Sequence, residues 1–152
     1  VSLIAFLLLS AAVASTGILF KPGSWYRGLK KPGWTPPNLA FPIVWSILYV
    51  LIAISGWLVW RQIGPGWPFL VFGAQLLANL LWSWLFFGKH RPDLAFGDIV
   101  ALWLLVAANI AVFAPVSTFA AWLLVPYLVW VSVALVLNLS VWRLNRDRGV
   151  FA

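Results

Sequence analysis

Polar and aromatic side chains that seldom enter hydrocarbon recur in this chain at helical spacing. Gln75, Asn79 and Ser83 follow one another every four residues, which places them on one face of a helix. Trp45 and Tyr49 are also four apart, and Tyr127, Trp130, Ala134, Asn138 and Trp142 continue the same pattern. Asp98 and Asn109 share a face of a further helix. The surrounding residues are apolar, and polar groups inside a membrane are costly and face the bundle interior. The faces can therefore meet in one cavity lined by indoles, phenols and amides, with Ala134 leaving a gap among larger neighbours. Such a lining suits binding rather than bond breaking. It offers broad π faces for a flat apolar ligand and a few polar groups to orient it. Taken singly, Gln75, Asn79 and Asn138 read as interhelical hydrogen bonds, worth about 0.6 kcal/mol each on average. Asp98 reads as a helix cap or a partner for Arg91.

Reactive constellations are missing. The chain has no Cys, no Met and no Glu, and its one histidine is His90. A single His without Cys makes a poor metal site, so no metal is expected. A Ser–His–Asp arrangement would have to use His90, and the spacing places no Ser beside it. No catalytic residue is firm. The remaining unusual segment is a loop running from Trp25-Tyr26 through Leu29, Lys30-Lys31-Pro32, Trp34 and Pro36-Pro37 to Phe41. With Lys21, Arg27, Lys30 and Lys31 it holds four of the ten basic residues. This mixture makes a poor lipid-facing helix and a good rigid, cationic, π-rich cap.

The elements that must position these groups follow from composition. Of 152 residues, 64% are hydrophobic and 9% charged, and the mean hydropathy is +1.00. A soluble domain carries about 25% charged residues, so a water-soluble globule is excluded. A helix needs about 20 apolar residues to cross the hydrocarbon core. Five such runs are expected as helices over about 1–20, 41–60, 67–88, 94–114 and 119–143, with a lid loop at 21–40. The fold class is an all-α five-transmembrane-helix bundle in one membrane domain spanning 1–152. The first run continues past Ala12-Val13-Ala14 to Phe20, and we read it as a retained helix rather than a cleaved signal. Pro126 lies inside the fifth run, where it frees the Trp122 carbonyl and bends the helix. Ala11/Ser15, Ala74/Ala78 and Ala107/Ala111 read as packing seams, with a dimer seam on the third helix as the alternative. Trp57, Trp60, Trp67, Trp122 and Trp142 fit an aromatic belt. Trp45, Trp82, Trp103 and Trp130 lie deeper, where a belt does not explain them.

Basic residues set the orientation. Loops that share one side carry Lys21, Arg27, Lys30, Lys31, Lys89 and Arg91, and the tail on that side carries Arg143, Arg146 and Arg148. The other side has Arg61 alone. The positive-inside rule puts the nine in the cytoplasm, with the N-terminus outside and the C-terminus inside. The net charge of +7 is then mainly a topology signal. Nucleic-acid binding is not expected, because the basic residues flank spans and form no groove-sized patch.

These residues resemble those of the translocator protein / tryptophan-rich sensory protein family, once called the peripheral benzodiazepine receptor family. The likeness covers the whole chain. It is carried by Trp25-Tyr26…Leu29…Lys31-Pro32…Trp34…Pro36-Pro37 running to Trp45 and Tyr49, by Ala121-Trp122-Leu123-Leu124-Val125-Pro126-Tyr127-Leu128-Val129-Trp130, and by Asn138 with Val141-Trp142-Arg143. The resemblance implies a five-helix bundle, often a homodimer, in a bacterial cell membrane. It also implies a pocket beneath the first loop for protoporphyrin IX or haem as ligand, and for isoquinoline-type compounds, with no obligatory cofactor. By resemblance the pocket uses Tyr26, Pro36, Pro37, Trp45, Tyr49, Gln75, Asn79, Trp82, Ser83, Trp130 and Ala134. Arg27, Lys30 and Lys31 are then candidates for the porphyrin propionates. Some members degrade porphyrin in light through the Trp residues matching Trp45 and Trp130, so a light-dependent enzyme stands as the alternative to a sensor or transport regulator. A plain channel ranks below both, because Trp57, Trp60, Trp67 and Trp122 seal the outer half. The sterol motif of animal members has a Tyr where this chain has Leu139 and Ser140, which argues against dedicated sterol binding. A reverse-order match at Arg91, Phe96 and Val100 is weak.

Overall fold

The architecture is taken from a computed structural model, described for residues 3–19, 24–37 and 40–145. Helix α1 is Leu3–Leu19 and α2 is the short turn Ser24–Arg27 within the first loop. Then come α3 (Ala40–Ile63), α4 (Pro68–Ser83), α5 (Pro92–Phe113), α6 (Thr118–Leu123) and α7 (Val125–Asn145). The spans Ala40–Ile63, Pro68–Gly88, Pro92–Phe113 and Thr118–Asn145 are long and apolar enough to cross a membrane. The seventeen residues of α1 cover about 25 Å at 1.5 Å per residue. The molecule is an all-helical bundle of an integral, multi-pass membrane protein. Val1, Phe20 and Lys21-Pro22-Gly23, and the tail residues Arg146 and Arg148, fall outside the described residues.

The bundle closes as a ring. Helix α1 packs on α3 and α4, α4 on α5, and α5 on α7, while α6 and α7 return to α3. The outer corner of this ring depends on Gly56. A Cβ there would lie 2.7 Å from the Phe72 ring and 2.9 Å from Phe6, so only glycine lets α1 and α4 press against α3 at this level. Phe6, Trp60, Phe69, Phe72 and Phe113 fill that corner with edge and stacked ring contacts.

Three helix ends differ from simple runs. Helix α3 continues to Ile63 and stops where Gly64 turns left-handed at φ 65°. Helix α4 passes into a wide π turn, Trp84–Gly88, closed by Lys89 N–H donating to the Trp84 carbonyl at 2.7 Å. The wider turn lets two consecutive rings, Phe86 and Phe87, both face inward. The fifth run is interrupted at one residue beside Pro126. Its ladder is interrupted at Leu124, whose N–H reaches back only to Ala121 at 3.1 Å. Pro126 then has no N–H to return to the Trp122 carbonyl. Asp98 also departs from expectation. Arg91 is bidentate to Asp93, at 2.7 and 3.0 Å, and Asp98 lies two turns into α5, where it neither caps the helix nor pairs with Arg91. Its Oδ2 is buried without a hydrogen-bond partner.

Candidate functional site

A directed chain of hydrogen bonds runs through the bundle interior. The Tyr49 hydroxyl on α3 donates to Asn79 Oδ1 on α4 at 2.6 Å. Asn79 Nδ2 donates to the Tyr127 hydroxyl on α7 at 2.8 Å, and that hydroxyl donates to Gln75 Oε1 at 2.7 Å. Four-residue spacing on α4 puts both amides on the face that meets α3 and α7. Both amide oxygens are engaged, and Gln75 Nε2 remains as a buried donor without a partner. Trp82 is fixed nearby: its indole N–H donates to Asn138 Oδ1 at 2.9 Å, and Asn138 Nδ2 donates to the Pro92 carbonyl at 2.7 Å. Asn138 therefore ties α4, α5 and α7 together.

Around this chain stands an aromatic box. Trp45 stacks on Tyr49 with ring centroids 5.7 Å apart. It touches Trp82 at 6.4 Å and meets Tyr127 edge-on at 6.2 Å. Trp130 approaches Trp45 edge to face at 6.4 Å, so a flat ligand seated between the two has to part them. Ala134, one turn beyond Trp130, is buried at 2% exposure, and Ser83 is buried on α4.

The first loop forms the roof. Tyr26 is fully buried and meets Phe41, Phe86 and Phe87 edge-on at 5.5 to 6.1 Å. Its hydroxyl is buried without a partner, and burial pushes the phenol up to about 12. The Lys31 ammonium lies 4.4 Å from the centre of the Tyr26 ring and donates to the Tyr26 carbonyl at 2.6 Å. Desolvation there pulls the Lys31 ammonium below its ordinary range. The roof is anchored twice more. Lys30 N–H donates to Asn145 Oδ1 at 2.9 Å, and Asn145 Nδ2 donates to the Lys30 carbonyl at 2.7 Å. The Trp25 ring stacks on His90 with centroids 4.4 Å apart and planes within 7°, so His90 is a docking surface for the loop.

The structure thus brings Tyr49, Gln75, Asn79, Trp45, Trp82 and Trp130 together, with Tyr26 in the roof above. Pro36 is half-buried and Pro37 exposed in the loop, and the Arg27 and Lys30 side chains are exposed. Phe41 was named at the end of the loop segment, whereas spacing had not singled out Phe86 and Phe87 or the anchoring role of Asn145. Apolar rings among apolar residues carry no contrast in sequence, and a terminal Asn gives no sign of a partner 115 residues away. Among the described residues no group of three or more His, Cys, Asp or Glu side chains could hold a metal ion.

Comparison with known proteins places the chain among relatives. The chain is 41% identical to a tryptophan-rich sensory protein of Cereibacter sphaeroides over 94% of its length and 90% of that protein. It is 43% identical to protein CrtK of Rhodobacter capsulatus over 89% of its length and 87% of that protein. A translocator protein of Sus scrofa is 35% identical over 92% of this chain and 86% of its own. The TspO/MBR family model matches residues 3–143. By fold, by the aromatic and amide interior and by these matches, the chain belongs to the TspO/MBR family.

Proposed function

We propose that the protein binds a tetrapyrrole, protoporphyrin IX or haem, beneath the first loop, and acts as a membrane sensor or transport regulator. The observation that carries this reading is the convergence of Trp45, Trp82, Trp130, Tyr49 and Tyr127 on an amide chain whose spare groups are donors. Broad π faces suit a flat macrocycle, and the unpartnered Gln75 Nε2 and Trp130 Nε1 would be satisfied by acceptors on it. The names of the relatives, sensory protein and translocator protein, point the same way. Lys31 is already engaged with Tyr26, so the exposed Arg27 and Lys30 are the better placed to meet propionates at the loop. Isoquinoline-type ligands would compete for the same faces. A homodimer would follow the family pattern.

Titration of protoporphyrin IX into the protein in nanodiscs tests the reading. Saturable quenching of Trp emission with a shifted porphyrin absorption band is expected, lost when Trp45→Ala and Trp130→Ala are combined. Unchanged quenching in the double variant would remove the site assignment. Illuminating the same complex tests light-dependent degradation, the second reading, which the adjoining Trp45 and Trp130 indoles favour as electron donors. Bleaching at the rate of free porphyrin rejects it.

A further inference from the structure

We propose that the interior site is reached sideways from the bilayer, through the seam between α3 and α7, with the Trp130 indole as the door. The ligand it admits is a flat, apolar ring system dissolved among acyl chains; this rests on the reading above. Between α3 and α7 lies a groove of about 410 Å³ with entirely apolar walls. Val44 and Leu48 form one wall, and Pro126, Val129 and Val133 the other. Its rim faces lipid, since Ile47 and Val129 are 56% and 59% exposed on membrane-spanning helices. Trp130 lines this groove and also touches Phe41 at 5.8 Å and Trp45 at 6.4 Å. Trp130 therefore stands between this groove and the aromatic box.

That side chain is held differently from its neighbours. The indole N–H groups of Trp82 and Trp103 donate to Asn138 and Ser132, both at 2.9 Å. The Trp130 N–H is buried with no acceptor, so only ring contacts hold it. The helix beside it is also interrupted. The backbone ladder is interrupted at Leu124 and Pro126, while the Ser55 hydroxyl fastens α6 to α3 by donating to the Ala120 carbonyl at 2.8 Å. The proposed opening is a displacement of α7 that pivots at this interruption, where the ladder lacks the proline N–H. The described part of the loop is tied down by contrast. Tyr26 is buried beneath Lys31, and the loop is tied to Asn145 and His90.

The chain has no native cysteine, so introduced pairs can be bridged selectively with a reducible bifunctional thiol reagent. Leu48→Cys with Val129→Cys locks the seam, and Trp25→Cys with His90→Cys locks the loop. Stopped-flow mixing of protoporphyrin-loaded vesicles with each protein in nanodiscs reads the association rate. The seam lock is expected to slow association by about tenfold or more, reversibly on reduction, while the loop lock changes it by less than about twofold. An unchanged rate in the seam-locked protein, or slowing only in the loop-locked one, overturns the proposal. A ligand-free measurement separates this from the binding reading. In nanodiscs of brominated-chain lipid, wild-type emission is expected to be quenched more than that of Trp130→Phe. Equal quenching means acyl chains do not reach Trp130, and the portal falls even if porphyrin binds. Failure of unbridged protein to bind porphyrin, with Trp130 still quenched by brominated lipid, overturns the ligand reading and leaves the lipid-filled seam supported.

Discussion

Asn79 is the residue on which the interior depends most, because it both accepts from Tyr49 and donates to Tyr127. Its amide joins α3 to α7 through α4. Asn79→Ala leaves the Tyr49 hydroxyl without its acceptor and the Tyr127 oxygen without a donor. A stranded buried polar group costs about 1–3 kcal/mol, although membrane hydrogen bonds average nearer the low end. Tyr49→Phe removes one bond and strands only Asn79 Oδ1, so it should cost about 1 kcal/mol or less. Thermal unfolding in one detergent is therefore expected to rank wild type above Tyr49→Phe above Asn79→Ala. An Asn79→Ala protein as stable as Tyr49→Phe would mean that the Asn79–Tyr127 bond contributes no net stability. This residue was legible in the sequence, since an amide every fourth position in hydrocarbon has few places to point. Asp98 was not, because the reading paired it with a nearby Arg91 that prefers Asp93, two residues away in the chain.

Among the elements, the first loop is held in its described part by a few named side chains. Asn145, at the last turn of α7, satisfies both backbone groups of Lys30 and replaces the partners that a loop otherwise takes from water. Asn145→Ala should free the segment around Arg27, Lys30 and Lys31 while the helices, packed through their own faces, stay intact. Limited trypsin digestion is expected to cleave this loop several-fold faster than in wild type, with helical content by circular dichroism unchanged. Equal cleavage would show that the Trp25–His90 stack and Lys31 suffice to hold the roof. The spans themselves could be read from apolar runs, since hydrocarbon tolerates little else. Their ends could not. The π turn after Ser83 and the break at Leu124 depend on which neighbours catch the freed carbonyls and rings, and that is decided by packing between distant segments. Pro126 signalled a disturbance in the fifth run, but only the bundle determines that α6 packs on α3 more closely than α7 does.

At the scale of the whole molecule, the sequence supplied the number of spans and the structure supplied their neighbours. That α1 sits between α3 and α4 follows from shape at Gly56, Phe6 and Phe72, and no periodicity encodes it. The ring arrangement gathers charge at one end. The Trp25–His90 stack and the Lys30–Asn145 pair bring the first loop, the turn after the π segment and the end of α7 together. Arg27, Lys30, Lys31, Lys89, Arg91 and Arg143 therefore share a single end, while Arg61 lies at the other, against Trp57 at 4.7 Å. By the positive-inside rule a bundle with its cations divided so unevenly is expected to insert with the crowded end in the cytoplasm. Two single-cysteine variants test this in intact cells and in opened membranes. Gly33→Cys stands in the exposed loop, where a Cβ meets nothing within 4 Å, and Pro65→Cys stands in the exposed turn after α3. A membrane-impermeant maleimide is expected to label Pro65→Cys in intact cells and Gly33→Cys only after the membrane is opened. The reverse pattern would place the roof outside. Ligand carboxylates would then meet Arg27 and Lys30 from the external medium, and the sensing direction would invert even though the interior site and its lateral seam were unchanged.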